Sequence, residues 1–142
     1  MPTRKAKAEW SGDLKGGKGT MEFGSGAYKV AYSFHSRMET GPGTNPEELI
    51  AAAHAGCFSM ALSADLGKAG FTPDHITTDA SVEFGNGSGK WAIEKIHLDC
   101  TAKIPGIDNA KFQEIAAGTK DNCPVSRALA SVKDITVTAK LA

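Results

Sequence analysis

Cys57 and Cys123 are the residues of this chain best equipped to do chemistry. Cys57 lies in alanine-, leucine- and methionine-rich sequence that reads as the middle of a long helix. Cys123 stands directly before Pro124, where another helical stretch begins. A cysteine reacts as its thiolate, so local charge and burial decide what each thiol can do. Two thiols in unlike settings, one buried and apolar and one at a helix N-terminus, suggest unlike roles in one redox cycle. In Asp121-Asn122-Cys123-Pro124 the unpaired N–H groups and dipole of a helix start favour the thiolate. Cys57 has no such help and needs a cation that survives partial burial. Arginine suits this, because it stays charged and grips a carboxylate in a bidentate fork. Arg37, at the end of an aromatic strand pattern, is the candidate.

Each of these residues also has a plainer reading. Cys57 could be a small core residue, Cys123 a solvent-exposed thiol in a first helical turn, and Arg37 an ordinary surface arginine. What sets Cys57 apart is its company, since His54, Ser59, Ser63 and Asp65 recur in an otherwise greasy helix. A polar group in a core needs a partner. Cys100 shares an apolar strand face with Ile96, Leu98 and Ala102 and reads as structural. His54 and Cys57 are three apart and could face one ligand. The alternative reading is therefore a metal-binding or redox-sensing protein that uses His54 and Cys57 without turnover. That pair offers only two donors, and His35, His75 and His97 fall on other segments.

The elements that must position these groups are legible in outline. Runs over 5–10, 19–23 and 27–34 read as strands, the last from the alternation of Tyr28, Val30, Tyr32 and Phe34. Ser25-Gly26 reads as a hairpin turn. Residues 38–44, with Gly41-Pro42-Gly43, predict a loop. Asn45 then caps a helix, with Pro46 at its first position and Glu48 completing a capping box. The stretch 49–69 is apolar nearly all round, which predicts a central helix covered on most sides. Strands follow over 75–84 and 91–104. A helix over 108–118 is capped by Asp108. A short helix over 123–130 is capped by Asn122 or Asp121. A final strand covers 134–141. Strands, helix, strands, helices and strand make an α+β fold.

The bulk numbers narrow the class. A chain of 142 residues suffices for a single domain over 1–142. Lys and Arg number 16 against 16 Asp and Glu, which argues against a nucleic-acid partner or electrostatic attachment to a membrane. No apolar run is expected to span a bilayer, and no secretion signal is expected at the N-terminus. Three widely spaced cysteines do not form a disulfide framework, so the expected compartment is reducing cytoplasm.

The residues around these groups carry a resemblance that extends along essentially the whole chain. Arg37, Gly43-Thr44-Asn45-Pro46-Glu47-Glu48-Leu49-Ile50, Ala52-Ala53-His54-Ala55-Gly56-Cys57-Phe58-Ser59-Met60-Ala61-Leu62 and Asn122-Cys123-Pro124-Val125-Ser126 resemble the osmotically inducible protein C (OsmC) family. The related organic hydroperoxide resistance proteins share the layout. The resemblance implies antiparallel sheets wrapped around central helices in an intertwined homodimer. It implies a thiol-dependent peroxidase that reduces organic hydroperoxides in preference to hydrogen peroxide, in oxidative or osmotic stress defence. Cys57 matches the peroxidatic cysteine, which becomes a sulfenic acid. Cys123 matches the resolving cysteine, which closes a disulfide with it. Arg37 and Glu47 match the pair that activates Cys57. No cofactor or metal is expected; an external dithiol, of lipoyl type, would reduce the disulfide.

Two readings from the residues join this one. The apolar neighbours Leu49, Phe58, Met60 and Leu62 suit an alkyl hydroperoxide. Glu47 and Cys57 are ten residues apart, so on one straight helix they stand about 15 Å apart along the axis. Either that helix breaks, or Arg37 and Glu47 serve Cys57 of a second subunit in a homodimer with composite sites.

Overall fold

The computed structural model describes residues 1–142, and the backbone divides into two compact units, Met1–Leu49 and Ile50–Ala142. In the first unit, β1 (Ala6–Ser11), β2 (Lys18–Phe23) and β3 (Lys29–Tyr32) form an antiparallel sheet in the order β1-β2-β3. The turn between β2 and β3 falls at the expected pair. Gly26 takes φ +76 and donates its N–H to the Phe23 carbonyl at 2.9 Å.

The third strand is shorter than its alternation predicts. Ser33 leaves it and caps a one-turn helix, α1 (Phe34–Met38), in which the Ser33 and Ser36 side chains each accept from the other's backbone N–H. This reciprocal cap outweighs the strand propensity of Phe34. Arg37 therefore belongs to a helix and not to a strand end. The glycine loop then returns to β3, where the Thr44 N–H donates to the Ala31 carbonyl at 3.0 Å. Gly43 permits this approach. Its φ is +103, and a Cβ there would meet the Ala31 carbonyl oxygen at 2.5 Å.

The long helix α2 (Pro46–Lys68) starts as its sequence predicts. The Asn45 side-chain oxygen accepts from the Glu48 N–H at 2.8 Å. The expected capping box is not closed, because Glu48 instead accepts from the Thr44 hydroxyl at 2.6 Å. At the other end Gly70 (φ +91) and Phe71 turn back to the Gly67 and Leu66 carbonyls in a Schellman closure.

Within a single chain α2 is covered along one stripe, His54, Phe58, Leu62 and Leu66, while Ala52, Ala53, Gly56 and Met60 are exposed. An 18-residue stretch with mean hydropathy 1.4 also makes α2 long and apolar enough to cross a membrane by length and composition. This corrects the expectation that no apolar run approaches the length needed to span a bilayer. The stripe that reaches into a core, including a hydrogen-bonded histidine, is the pattern of a core helix.

In the second unit, β4 (His75–Gly85), β5 (Ala92–Lys103) and β6 (Asp134–Leu141) form a sheet with β5 central. β4 pairs antiparallel with β5, and β6 pairs parallel with it. The parallel pairing requires a crossover, supplied by α3 (Asn109–Asn122) and α4 (Pro124–Ala128). Asp108 caps α3 as expected, accepting from the Lys111 N–H at 2.8 Å. That helix does not stop at Gly118 but runs through Asp121 and Asn122, which therefore cap nothing. Cys123 itself is the joint, serving as C-cap of α3 and N-cap of α4.

One core joins Phe58, Leu62 and Leu66 of α2 with Leu98, Cys100 and Ala102 of β5, Ile104 just beyond that strand, Phe112 and Ala116 of α3, and Cys123. Cys100 is buried there, as the strand alternation predicts. Phe58 and Phe112 are the largest fully buried side chains. Phe58→Ala should lower unfolding stability by about 3–5 kcal/mol through lost transfer energy and a cavity; urea denaturation of both proteins measures the difference.

Candidate active site

Cys57 lies on α2 one turn after His54, and Cys123 lies at the α3–α4 joint. The fold brings their sulfurs to 3.2 Å across 66 residues of sequence, with both thiols free. A disulfide bond is about 2.05 Å long, so this is a reduced pair in contact, needing a small approach to close. The exposures differ from the sequence expectation. Cys123 is wholly buried, and Cys57 is the half-buried member. The sequence reading treated a helix start as a surface feature. This start is covered because α3 leads into it and its thiol turns into the core.

Either thiol could donate to the other at this separation, and the surroundings decide the direction. Burial pushes the Cys57 thiol up, a bond from the Val125 backbone opposes this, and contact with Cys123 pushes it further up. Burial also works against ionising Cys123. Bonds from the Ser126 backbone, Cys57, the Ser126 hydroxyl and the Val125 backbone outweigh it, and that thiol falls below its ordinary value. Within this unit Cys123 is the more readily ionised of the two touching thiols.

His54 is fully buried, and its Nε2 lies 2.7 Å from the Ser126 Oγ. Burial lowers its basicity and keeps the ring neutral. Its Nδ1 has no hydrogen-bond partner. An unpaired buried N–H forfeits more than an unpaired ring lone pair, so the network assigns the hydrogen to Nε2. The imidazole then donates to Ser126. Nε2 is thereby engaged, and no group of three or more His, Cys, Asp and Glu side chains is placed to hold a metal ion. The metal or sensor reading of His54 and Cys57 has no support in this geometry. Ser126 is the residue the sequence reading passed over. Its signal was its place three residues after Cys123 in a helical first turn.

Arg37 and Glu47 meet within the first unit. The Arg37 Nη2 lies 2.7 Å from the Glu47 Oε1, and Nε lies 3.2 Å from each carboxylate oxygen. Glu47 is buried and the Arg37 side chain is 40% exposed, so the pair presents the guanidinium outward. Its rigidity comes from polar ties between α1 and the start of α2. The Ser36 hydroxyl donates to the Thr44 carbonyl at 2.6 Å, and the Asn45 amide donates to the Ser36 carbonyl at 2.9 Å. Three N–H···O contacts from one guanidinium to one carboxylate fix the fork more firmly than a point charge could. α2 is unbroken from Pro46 to Lys68, so the break that would bring Glu47 to its own Cys57 does not occur.

A reduced cysteine pair set between a long helix and a helix joint, on a two-sheet α+β scaffold, defines a dithiol redox protein. The chain matches the family described as OsmC-like protein over residues 39–138. It is 50% identical to peroxiredoxin OsmC of Escherichia coli (strain K12) over 127 residues, 89% of each chain. It is 33% identical to an organic hydroperoxide resistance protein of Xanthomonas axonopodis pv. citri, over 69% of this chain and 68% of that protein. Among solved structures, an organic hydroperoxide resistance protein from Elizabethkingia anophelis superposes with a TM-score of 0.76 at 23% identity. That match covers 100% of this chain and 96% of the other. An OsmC-like protein from Mycoplasma pneumoniae reaches 0.76 at 14% identity, covering 99% and 97%. The chain belongs to the OsmC family and has its α+β fold.

Proposed function

We propose that this protein is a thiol-dependent peroxidase that reduces organic hydroperoxides, with Cys57 as the attacking sulfur and Cys123 as the resolving one. The observation that carries the reading is the 3.2 Å contact between two reduced sulfurs of unequal exposure. The half-buried sulfur can meet a substrate, and the buried one can meet only its neighbour. The Cys57 thiolate attacks one peroxide oxygen, the O–O bond breaks, and the alcohol leaves after taking a proton. Cys57 becomes a sulfenic acid. Cys123 then displaces hydroxide from that sulfur, giving a disulfide and, after protonation, water. An external dithiol, of lipoyl type, attacks the disulfide and returns both thiols. No bound cofactor is required.

Cys57 does not ionise readily in the surroundings of its own unit, so it needs the cation that the sequence called for. The Arg37–Glu47 fork supplies one, but about 15 Å of continuous helix separates Glu47 from Cys57 of the same chain. The working protein is therefore a homodimer in which each fork serves the partner's Cys57. The exposed Ala52, Ala53 and Gly56 on α2 support this, since small residues let two helices approach closely, and Met60 adds exposed apolar surface beside them. Free thiols at work suit the reducing cytoplasm.

The test is turnover with an alkyl hydroperoxide and with hydrogen peroxide, each with lipoyl and thioredoxin-type donors. The alkyl substrate with the lipoyl donor should be fastest. Peptide mapping after one equivalent of peroxide should join Cys57 to Cys123. Cys123→Ser should reduce one equivalent and stall, with Cys57 passing to sulfinic and sulfonic forms visible by mass. A turning-over enzyme with no 57–123 cross-link would reject the cycle.

A further inference from the structure

His54 is a fully buried titratable side chain that the cycle above leaves without a task, yet it ends a chain of contacts that leads to the reacting sulfurs. Its Nε2 meets the Ser126 Oγ at 2.7 Å, Ser126 is buried three residues after Cys123 in the first turn of α4, and Cys123 meets Cys57 at 3.2 Å. We propose that His54 is a positioning residue for the resolving cysteine: by donating Nε2–H to the Ser126 oxygen, it aims the Ser126 hydroxyl hydrogen at the Cys123 sulfur. This inference rests on the peroxidase reading for its place in the cycle, but not for its geometry.

The argument starts from the hydroxyl. A serine in the first turn of a helix can rotate its hydrogen toward a backbone carbonyl of the preceding turn. The Cys123 carbonyl is such an acceptor, since it already receives the Arg127 N–H at 3.0 Å. A sulfur anion gains nothing from a hydroxyl turned that way. An N–H donor fixed on the Ser126 oxygen takes up one of its lone pairs and leaves the hydroxyl free to donate. The donor is fixed because His54 is held in the middle of α2 and wholly enclosed. Its Nδ1 lacks a partner, which is the expense of keeping Nε2 protonated and facing Ser126. A histidine kept only for packing would not need this orientation.

The hydroxyl acts twice in the cycle. When Cys57 is a sulfenic acid, the Cys123 thiolate attacks its sulfur. The S–S bond forms, the S–O bond breaks, and hydroxide leaves to take a proton from solvent. When the external dithiol attacks the half-buried sulfur of Cys57, Cys123 departs as a thiolate, and the same hydroxyl receives it. In both steps Cys123 is charged at the moment of bond exchange, and a donated hydrogen bond favours that form.

The experiment separates the two oxidation steps. Reduced protein is mixed with one equivalent of an alkyl hydroperoxide, and sulfenic acid and disulfide are quantified by rapid quench, trapping and mass spectrometry. In Ser126→Ala the sulfenic acid should form within about twofold of the wild-type rate, while its conversion to disulfide slows by roughly tenfold or more. His54→Gln should slow the same step, and the double variant should be no slower than Ser126→Ala alone. Ser126→Thr, which keeps the hydroxyl, should restore the rate. Equal slowing of both steps, or disulfide closure at the wild-type rate in Ser126→Ala, overturns the proposal.

A second measurement does not need peroxide. In Cys57→Ser with Cys100→Ala, Cys123 is the one thiol left, and adding Ser126→Ala or His54→Gln should cut its thiolate absorbance at neutral pH by roughly tenfold. An unchanged titration in both variants also overturns the proposal. Should wild-type protein form no sulfenic acid, the peroxidase reading fails, and this titration still decides the role of His54.

Discussion

Replacing Cys57 with serine should reduce hydroperoxide turnover by roughly a thousandfold or more, the scale on which an enzyme loses its nucleophile. The reason is specific to the sulfur. A hydroxyl has neither the polarisability to attack an O–O bond nor a pKa low enough to ionise beside a guanidinium. The substitution is nearly isosteric at a half-buried position, so the fold should survive it. Steady-state assays with an alkyl hydroperoxide and a dithiol, with circular dichroism as the control for folding, measure the effect. Substantial residual activity would mean that Cys123 attacks peroxide. The charge distribution within the unit makes that a real competitor, since Cys123 and not Cys57 is the thiol lowered there. Full enclosure of Cys123 argues the other way, because a substrate cannot reach it.

The second large effect concerns the Arg37–Glu47 fork. Arg37→Ala should lower turnover by about a hundredfold, the usual loss when one charged donor leaves a reacting centre. It also leaves Glu47 buried without its partner, so Arg37→Lys is the milder companion variant. Complementation decides whether the fork works in trans. Arg37→Ala and Cys57→Ser are each inactive, but a mixed dimer of the two holds one intact composite site and one doubly damaged site. Random reassortment makes about half the dimers mixed, so about a quarter of wild-type activity should return. Differently tagged chains purified as heterodimers sharpen the measurement. Mixed dimers that stay inactive, or an active monomer on gel filtration, would remove the composite site.

Local signals were legible where the deciding interactions lie within one or two turns of chain. Asn45-Pro46 announced the start of α2, Asp108 the start of α3, and Ser25-Gly26 the β2–β3 hairpin. The alternation on β5 announced the buried face that holds Cys100. Misreadings arose where one local signal competed with another. The Ser33 cap converted a strand end into α1, and α3 ran past Gly118 because the helix continues to gain a hydrogen bond per residue there.

The sequence by itself determined the reactive chemistry: two thiols, a histidine inside an apolar helix, an arginine, and a glutamate ten residues before the first cysteine. It also determined that Glu47 and Cys57 could not meet on one intact helix, because the rise per residue is fixed by backbone geometry. Only the tertiary structure decided which thiol is enclosed, that the sulfurs meet at 3.2 Å, and that His54 turns to Ser126 72 residues away. It alone placed β6 parallel to β5, which carries α3 and α4 across and folds the Cys123 joint inward. Periodicity and capping report forces that act over a few residues. Burial and thiol charge are set by packing partners that are distant in sequence and become neighbours only when the core closes.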